Sequence, residues 1–454
     1  MKKMFLGGTP VLLFCAWLQP AYGQLSIGAQ LRTRTELRDG QGAPLPKGAD
    51  PAIFTSQRTR LSAGFSAYRI QLGITLQDVR VWGQDASTIN RTTTANNNGL
   101  LLHEAWADIL LTDTSSHRQR LSVKIGRQEL MYDDSRLLGN LDWLQQGRRH
   151  DAVVLKYEQD SWMLHVAGAF NQNKENAAGT IYDPTAPGNY TGNTNGGNSY
   201  KSMQYLYAGK KLAQGNVSFL FMADQFSRYH TDSINNLPVK TWEGPTYNRM
   251  TTGLYFNNTF QRITLTGAAY YQFGKNGDGQ SLSAGLLSAA FQYALTRSFS
   301  AGAGVDYTSG GSSGNKSHAF DPLYGTPHKF WGNMDYFYVA SGFGNRGLQD
   351  YYIKTKLKAG NKWVLQADAH EFFSASTLPV ADGKTAPTRR FGTEADLTAT
   401  FTLTSIISFE GGYSHFWNTN SLAAAGVKNI PDAKSNSNWA YLMISIRPSF
   451  LFHP

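Results

Sequence analysis

From Gln24 onward the chain alternates. Leu25, Ile27, Ala29, Leu31, Thr33, Thr35 and Leu37 share one parity, and Ser26, Gly28, Gln30, Arg32, Arg34, Glu36 and Arg38 share the other. A period of two over this length places one parity on each face of a strand and fits no helix. Eighteen segments of this kind can be counted between Gln24 and the closing stretch around Trp439.

The connections alternate as well. Short ones at Tyr68-Arg69, Ser115-Ser116, Gln159-Asp160, Gln214-Gly215, Gln261-Arg262, Thr296-Arg297, Gly360-Asn361 and Thr404-Ser405 interleave with longer polar loops. An even strand number with tight turns at one end and long loops at the other predicts an all-β transmembrane antiparallel barrel. On this reading the short turns are periplasmic and the loops extracellular. Trp162, Phe299, Trp363 and Trp439 are expected beside the periplasmic turns, and Trp82, Phe170, Tyr307 and Trp417 toward the outer ends. These positions suit two interfacial girdles.

Composition narrows the classes further. Charged residues make up 16% of the chain, below the roughly 25% of ordinary soluble domains, while 13% are aromatic, which argues against disorder. The apolar run from Met4 to Leu18 follows Lys2 and Lys3 and precedes Ala21-Tyr22-Gly23. It is too short to span a bilayer as a helix and reads as a cleavable secretory leader over residues 1–23, leaving residues 24–454 as one barrel domain. The single Cys15 falls within that leader, so no disulfide or thiol chemistry is expected.

Mid-strand charges must face the lumen, because Arg or Lys on the lipid face at the bilayer midplane costs about 2 to 4 kcal/mol. This rule assigns Arg32 and Arg34 on the first segment, Arg58 and Arg60 on the second, and Arg80 on the third as pore-lining groups. Lys354 and Lys356 join them farther along the chain. Glu36, Asp78, Glu104, Asp108, Asp224, Asp306, Asp368, Glu394 and Asp396 are acidic lumen candidates. The assignment of Asp78 and Arg80 requires a β-bulge near Gln77-Asp78, since Ile70 to Leu76 and Val79 to Val81 fall on different parities. Each charge could equally be a wall ion pair that stiffens the barrel. Grouped guanidiniums argue for anion passage, because the Debye length of about 8 Å is comparable to a side-chain-lined pore radius.

Residues 125–152, with Gly126-Arg127-Gln128-Glu129, Asp133-Asp134-Ser135-Arg136 and Asp142-Trp143 among them, resemble the alginate-export family of outer-membrane porins. So do His103 to Trp106, the loop Phe320 to Gly325, Gly332 to Phe337, and Gly392 to Leu397. The resemblance implies an eighteen-stranded barrel that passes a polyuronate chain outward through an Arg-rich constriction. By motif match it carries over Arg127, Asp133, Arg136, Asp142 and Arg148 as pore or loop-positioning groups, with Arg127 and Arg148 as substrate contacts.

The expected function is therefore a passive outer-membrane channel for anionic solutes, including alginate-like acidic polysaccharide. Outer-membrane lipid and periplasmic export partners would surround it. An uptake porin for small anions or oligosaccharides has the same wall with opposite flux. An adhesin or scaffold with a plugged barrel is the reading from a different class. No enzyme, cofactor, metal site or nucleic-acid partner is expected: the His residues are scattered, Cys is lacking from the barrel segments, and the basic residues sit at alternating wall positions rather than on one patch. Asp133 and Asp134 could take a hard cation only with help from loop carbonyls. Loops 172–201 and 310–349 are each candidates to cap or line the pore.

Overall fold

The computed structural model describes residues 23–83, 99–113, 118–175, 179–184, 199–339, 343–378 and 388–452. Residues 1–22 of the expected leader and the Ser115-Ser116 turn lie outside the described residues.

The strands are β1 (Gln24–Asp39), β2 (Ala52–Ala67), β3 (Ile70–Val81), β4 (Leu101–Leu110), β5 (Gln119–Gln128), β6 (His150–Gln159), β7 (Trp162–Phe170), β8 (Ser202–Leu212) and β9 (Gly215–Ile234). They continue as β10 (Leu237–Phe260), β11 (Ile263–Lys275), β12 (Ser281–Ala294), β13 (Phe299–Thr308), β14 (Leu348–Ala359), β15 (Trp363–Ser374), β16 (Arg390–Thr402), β17 (Ile407–Asn418) and β18 (Asn436–Ile446). Each pairs antiparallel with the next. β18 closes the ring on β1 from Leu31↔Ile446 to Asp39↔Asn438, and Ser449–Phe452 continues that pairing along Leu25 to Gly28. The result is a closed eighteen-stranded barrel, as the alternation predicts.

Closure explains the apolar parity. With no free edge, every strand satisfies its ladder, and side chains such as Leu61, Phe65, Leu72, Ile74, Val153, Leu155 and Leu164 can stand exposed on the outside. In water such a belt would aggregate; in hydrocarbon it is the lipid contact.

Four expectations need correction. The connection between β9 and β10 is not a long loop: the two strands run 20 and 24 residues and meet at Asn235-Asn236. Both turn residues have positive φ, 53° and 61°, the conformation a two-residue hairpin demands. The bulge predicted in β3 is absent, since β3 pairs without a slip against β2. The irregularity lies in β4, where Thr75 faces Glu104 and Leu76 faces Leu102, leaving His103 as the extra residue. Asp78 and Arg80 therefore keep the outward parity of Ile74 and Leu76 and form an exposed ion pair at 2.7 Å. Trp439, finally, is no periplasmic girdle residue. It lies near the extracellular start of β18, buried on the lumen side, with Nε1 donating to Glu36 at 3.1 Å.

Two loops fill much of the interior. The β5–β6 loop (residues 129–149) and the described parts of the β13–β14 loop (residues 309–339 and 343–347) fold into the barrel and contribute Leu130, Leu137, Leu138, Phe320, Leu323, Tyr324, Trp331, Met334, Tyr336 and Phe337 to the buried core. They pair with each other through a short parallel bridge between Leu138 and Tyr324. Tyr324 N donates to Leu137 O at 3.0 Å, Gly139 N to Tyr324 O at 3.0 Å and Thr326 N to Ser135 O at 2.8 Å. Gly325 permits this approach, since a Cβ there would stand 2.0 Å from Arg136 O.

Candidate functional site

The first two strands bring four guanidiniums to one patch of lumen wall. Arg32 faces Arg58 directly across the β1–β2 ladder, and Arg34 and Arg60 lie two residues away on the same face. Like charges this close require counter-groups. The β5–β6 loop supplies them.

Arg32 Nη1 donates to Asp142 O at 2.7 Å, its Nη2 to Trp143 O and Leu144 O at 3.3 Å, and its Nε to Gln145 Oε1 at 3.0 Å. Arg34 Nη1 donates to Trp143 O at 2.8 Å, with its guanidinium 4.3 Å above the Trp143 ring, a cation–π contact. The Asp142 carboxylate meets Arg58 at 2.8 Å, Arg32 at 3.3 Å and Arg60 at 3.4 Å. Gln145 Nε2 fastens the loop to Ser56 Oγ at 2.9 Å.

Burial grades this patch. Arg32, Arg34 and Arg58 are 2%, 3% and 0% exposed, whereas the Asp142 side chain is 35% exposed to the lumen. Arg60 and Glu129, 3.9 Å apart, are intermediate. The expected row of bare pore-lining arginines is thus a clasp: the guanidiniums face inward, but the loop covers three of them. Burial by itself would raise the Asp142 carboxyl; Arg58, Arg32 and Arg60 outweigh it and hold it below the usual carboxylate range.

The other predicted residues are scattered. Arg127 is on the outside, on the parity of Ile125, in an ion pair with Asp151 at 2.8 Å. It is 37% exposed, so the expectation of a pore contact there is overturned by the strand's parity. Arg80 and Asp78 are outside for the same reason. Arg148 lies in the β5–β6 loop, donating to Gly325 O at 2.7 Å, and burial pushes its guanidinium down to about 10. It joins the two loops to each other. Glu104 faces the lumen and accepts from Glu129 N at 3.2 Å.

Asp133 anchors the same loop on the far wall near the periplasmic turn after β8. It accepts from Ser218 Oγ at 2.7 Å and from Tyr207 Oη and Asn216 Nδ2 at 2.9 Å. Burial raises its carboxyl, and these three donors offset part of the rise. Arg136 donates to Asp306 at 2.9 Å on β13 and covers the Phe330 ring at 4.0 Å. Among the described residues no group of three or more His, Cys, Asp or Glu could hold a metal ion.

The alternation alone did not point to Trp143, Gln145, Glu129 or the lumen-facing His103, whose Nε2 lies 2.9 Å from both Arg60 Nη2 and Glu129 Oε1. Nor did it point to the second loop's ring stack, in which His328 lies on Trp143 at 4.1 Å and 6°. A signal existed. Leu130, Leu137, Leu138, Leu141, Trp143 and Leu144 make the β5–β6 loop far more apolar than a loop in water needs to be.

A closed barrel with an apolar exterior and a charged, loop-filled lumen defines an outer-membrane channel of a Gram-negative bacterium, crossing the membrane many times. The family model for alginate export matches residues 23–436, and the chain belongs to that family. Solved porins share the fold at low identity. Pseudomonas aeruginosa OccK9 (OpdG) aligns with a TM-score of 0.57 at 12% identity, over 94% of this chain and 98% of that one. Acinetobacter baumannii OccAB1 aligns at 0.59 and 11%, over 94% and 97%. Pseudomonas aeruginosa OpdK, solved with vanillate, aligns at 0.53 and 10%, over 94% and 99%. No curated relative matches the chain.

Proposed function

We propose that the channel conducts anionic solutes, acidic oligo- or polysaccharide among them, by passive diffusion past the β1–β2 wall. The observation that carries this reading is the convergence of Arg32, Arg58 and Arg60 on the lumen-exposed Asp142 carboxylate. Five guanidiniums (Arg32, Arg34, Arg38, Arg58 and Arg60) form ion pairs there with three carboxylates, Glu36, Glu129 and Asp142; Glu104 also acts on Arg60, and Arg447 adds a further positive charge nearby. Main-chain carbonyls and the side-chain amides of Gln30, Gln77 and Gln145 accept from other N–H groups without cancelling their charge, so a positive field persists at the lumen edge. Charge-assisted hydrogen bonds would replace the hydration a carboxylate gives up on entering. Direction of flux follows the solute gradient.

Family membership supports a uronate polymer as the solute. The test is single-channel recording of the refolded protein in a planar bilayer under a salt gradient, with and without polyuronate. The expected result is an anion-selective reversal potential and polyuronate block; cation selectivity without block would refute the reading.

A further inference from the structure

We propose that Asp142 is a tethered counter-ion: its carboxylate occupies a built carboxylate-binding subsite formed by Arg32, Arg58 and Arg60, and a passing uronate carboxylate moves through by exchanging with it. This rests on the anion-channel reading above and names the subsite and the residue that sets its occupancy.

Three observations carry it. First, the subsite comes from the rigid wall and not from the loop: all three guanidiniums stand on paired residues of β1 and β2, in register from Gln30↔Arg60 to Arg32↔Arg58. They lie within 2.8 to 3.4 Å of the two carboxylate oxygens. Second, access is one-sided. Lumen water reaches the Asp142 carboxylate but hardly reaches Arg32 or Arg58, so an arriving anion meets the occupant before the site.

Third, the carboxylate is not what fastens the loop. Arg32 and Arg34 hold the main-chain carbonyls of Asp142, Trp143 and Leu144, and Gln145 bonds Arg32 and Ser56. The loop would stay anchored with a neutral residue at 142. What the carboxylate adds is charge, placed where a uronate would put its own.

Exchange suits the energetics. Buried guanidiniums left without counter-charge are costly, so an empty site would either collapse or bind an anion too tightly to release it. A tethered competitor avoids both, because one carboxylate replaces another of the same geometry. Glu129, 3.9 Å from Arg60, lies beside the subsite and repels a lingering anion.

The test compares wild type with Asp142→Asn and Asp142→Glu in planar bilayers, reading reversal potential in a KCl gradient and current block by glucuronate. Asp142→Asn should move the reversal potential toward that of chloride and tighten glucuronate block about ten-fold, roughly the worth of one charge-assisted bond. Asp142→Glu keeps the charge and should change selectivity and block less than Asp142→Asn does. Unchanged block and selectivity in Asp142→Asn, or weakened block, would overturn the proposal.

If Asp142→Asn does not refold, Asp142→Cys treated with a sulfonate-bearing or a neutral thiol reagent asks the same question. Only the sulfonate should restore wild-type block, and equal effects of the two reagents would overturn the proposal. Wild type that is cation-selective and unblocked refutes the channel reading. An anion-selective wild type that Asp142→Asn leaves unchanged refutes the tethered counter-ion alone.

Discussion

The β1–β2 wall and the β13–β16 wall both grip the in-folded loops, yet they do so by opposite chemistry. The first offers guanidiniums, which only donate. They are satisfied largely by neutral acceptors, the carbonyls of residues 142–144 and the Gln145 amide. The second offers the carboxyl groups of Asp306, Asp350, Asp368, Glu394 and Asp396. From the loops, Arg136 pairs with Asp306 and Met334 N donates to Glu394; within the wall itself, Lys354 pairs with Asp368 and His370 with Asp350. A loop presents carbonyls freely, so a basic wall can be covered without being neutralised. A carboxylate wall must recruit donors, and strong donors bring charge. The two walls hold their loops through different partners and leave different fields behind.

The largest expected break is on the acidic wall. Arg136→Met strands Asp306, 2% exposed, without its counter-charge and should cost about 3–5 kcal/mol in denaturant unfolding. Adding Asp306→Leu should recover most of that loss. On the basic wall, Gln145→Leu removes neutral acceptors from Arg32 and a donor from Ser56, and should cost about 1–3 kcal/mol in the same assay while leaving ion selectivity in place.

A pH effect sharpens the contrast next. Lys428, in the extracellular loop after β17, donates to Gly42 O and Tyr336 O, and burial pushes its ammonium down to about 7. Between that value and its ordinary 10.5 the unfolded chain holds more protons than the folded one, so stability should rise with pH across this window. Thermal unfolding followed from pH 7 to 9.5 should show the slope, and Lys428→Met should flatten it. The smallest effect belongs to the outer face: Arg127→Gln and Arg80→Gln should each change stability by no more than about 1 kcal/mol. Neither should shift the reversal potential, and a shift in either would contradict their outward placement.

Much of the wall was legible because parity is a local property. Arg32, Arg34, Arg58 and Arg60 sit mid-strand between apolar neighbours, where an outward charge is costly, and the rule placed them in the lumen. Arg80 misled it because it lies at the extracellular end of β3, where a charge on the outer face costs about 0 to 1 kcal/mol and the rule loses its force; Arg127, carried over by motif match and not by the rule, faces outward at the corresponding end of β5. For Asp78 the apparent phase slip came from Val79, an apolar residue on the lumen side where the loops make apolar side chains welcome. The bulge that does exist, at His103, adds a lumen residue on the neighbouring strand without disturbing the parity of β3.

The alternation by itself determined the closed barrel, its strand number, the end that carries the short turns, and the face on which the clustered arginines lie. Each follows from a period of two and from the cost of leaving backbone or charge unsatisfied in hydrocarbon. Only the tertiary structure decided that those arginines are covered and that Asp142 is their shared counter-ion. That contact joins residues 110 apart in the chain, and it depends on the β5–β6 loop finding a second loop to pair with inside the barrel. Such pairing is set by shape and by complementary hydrogen bonds between distant segments, which no local period encodes.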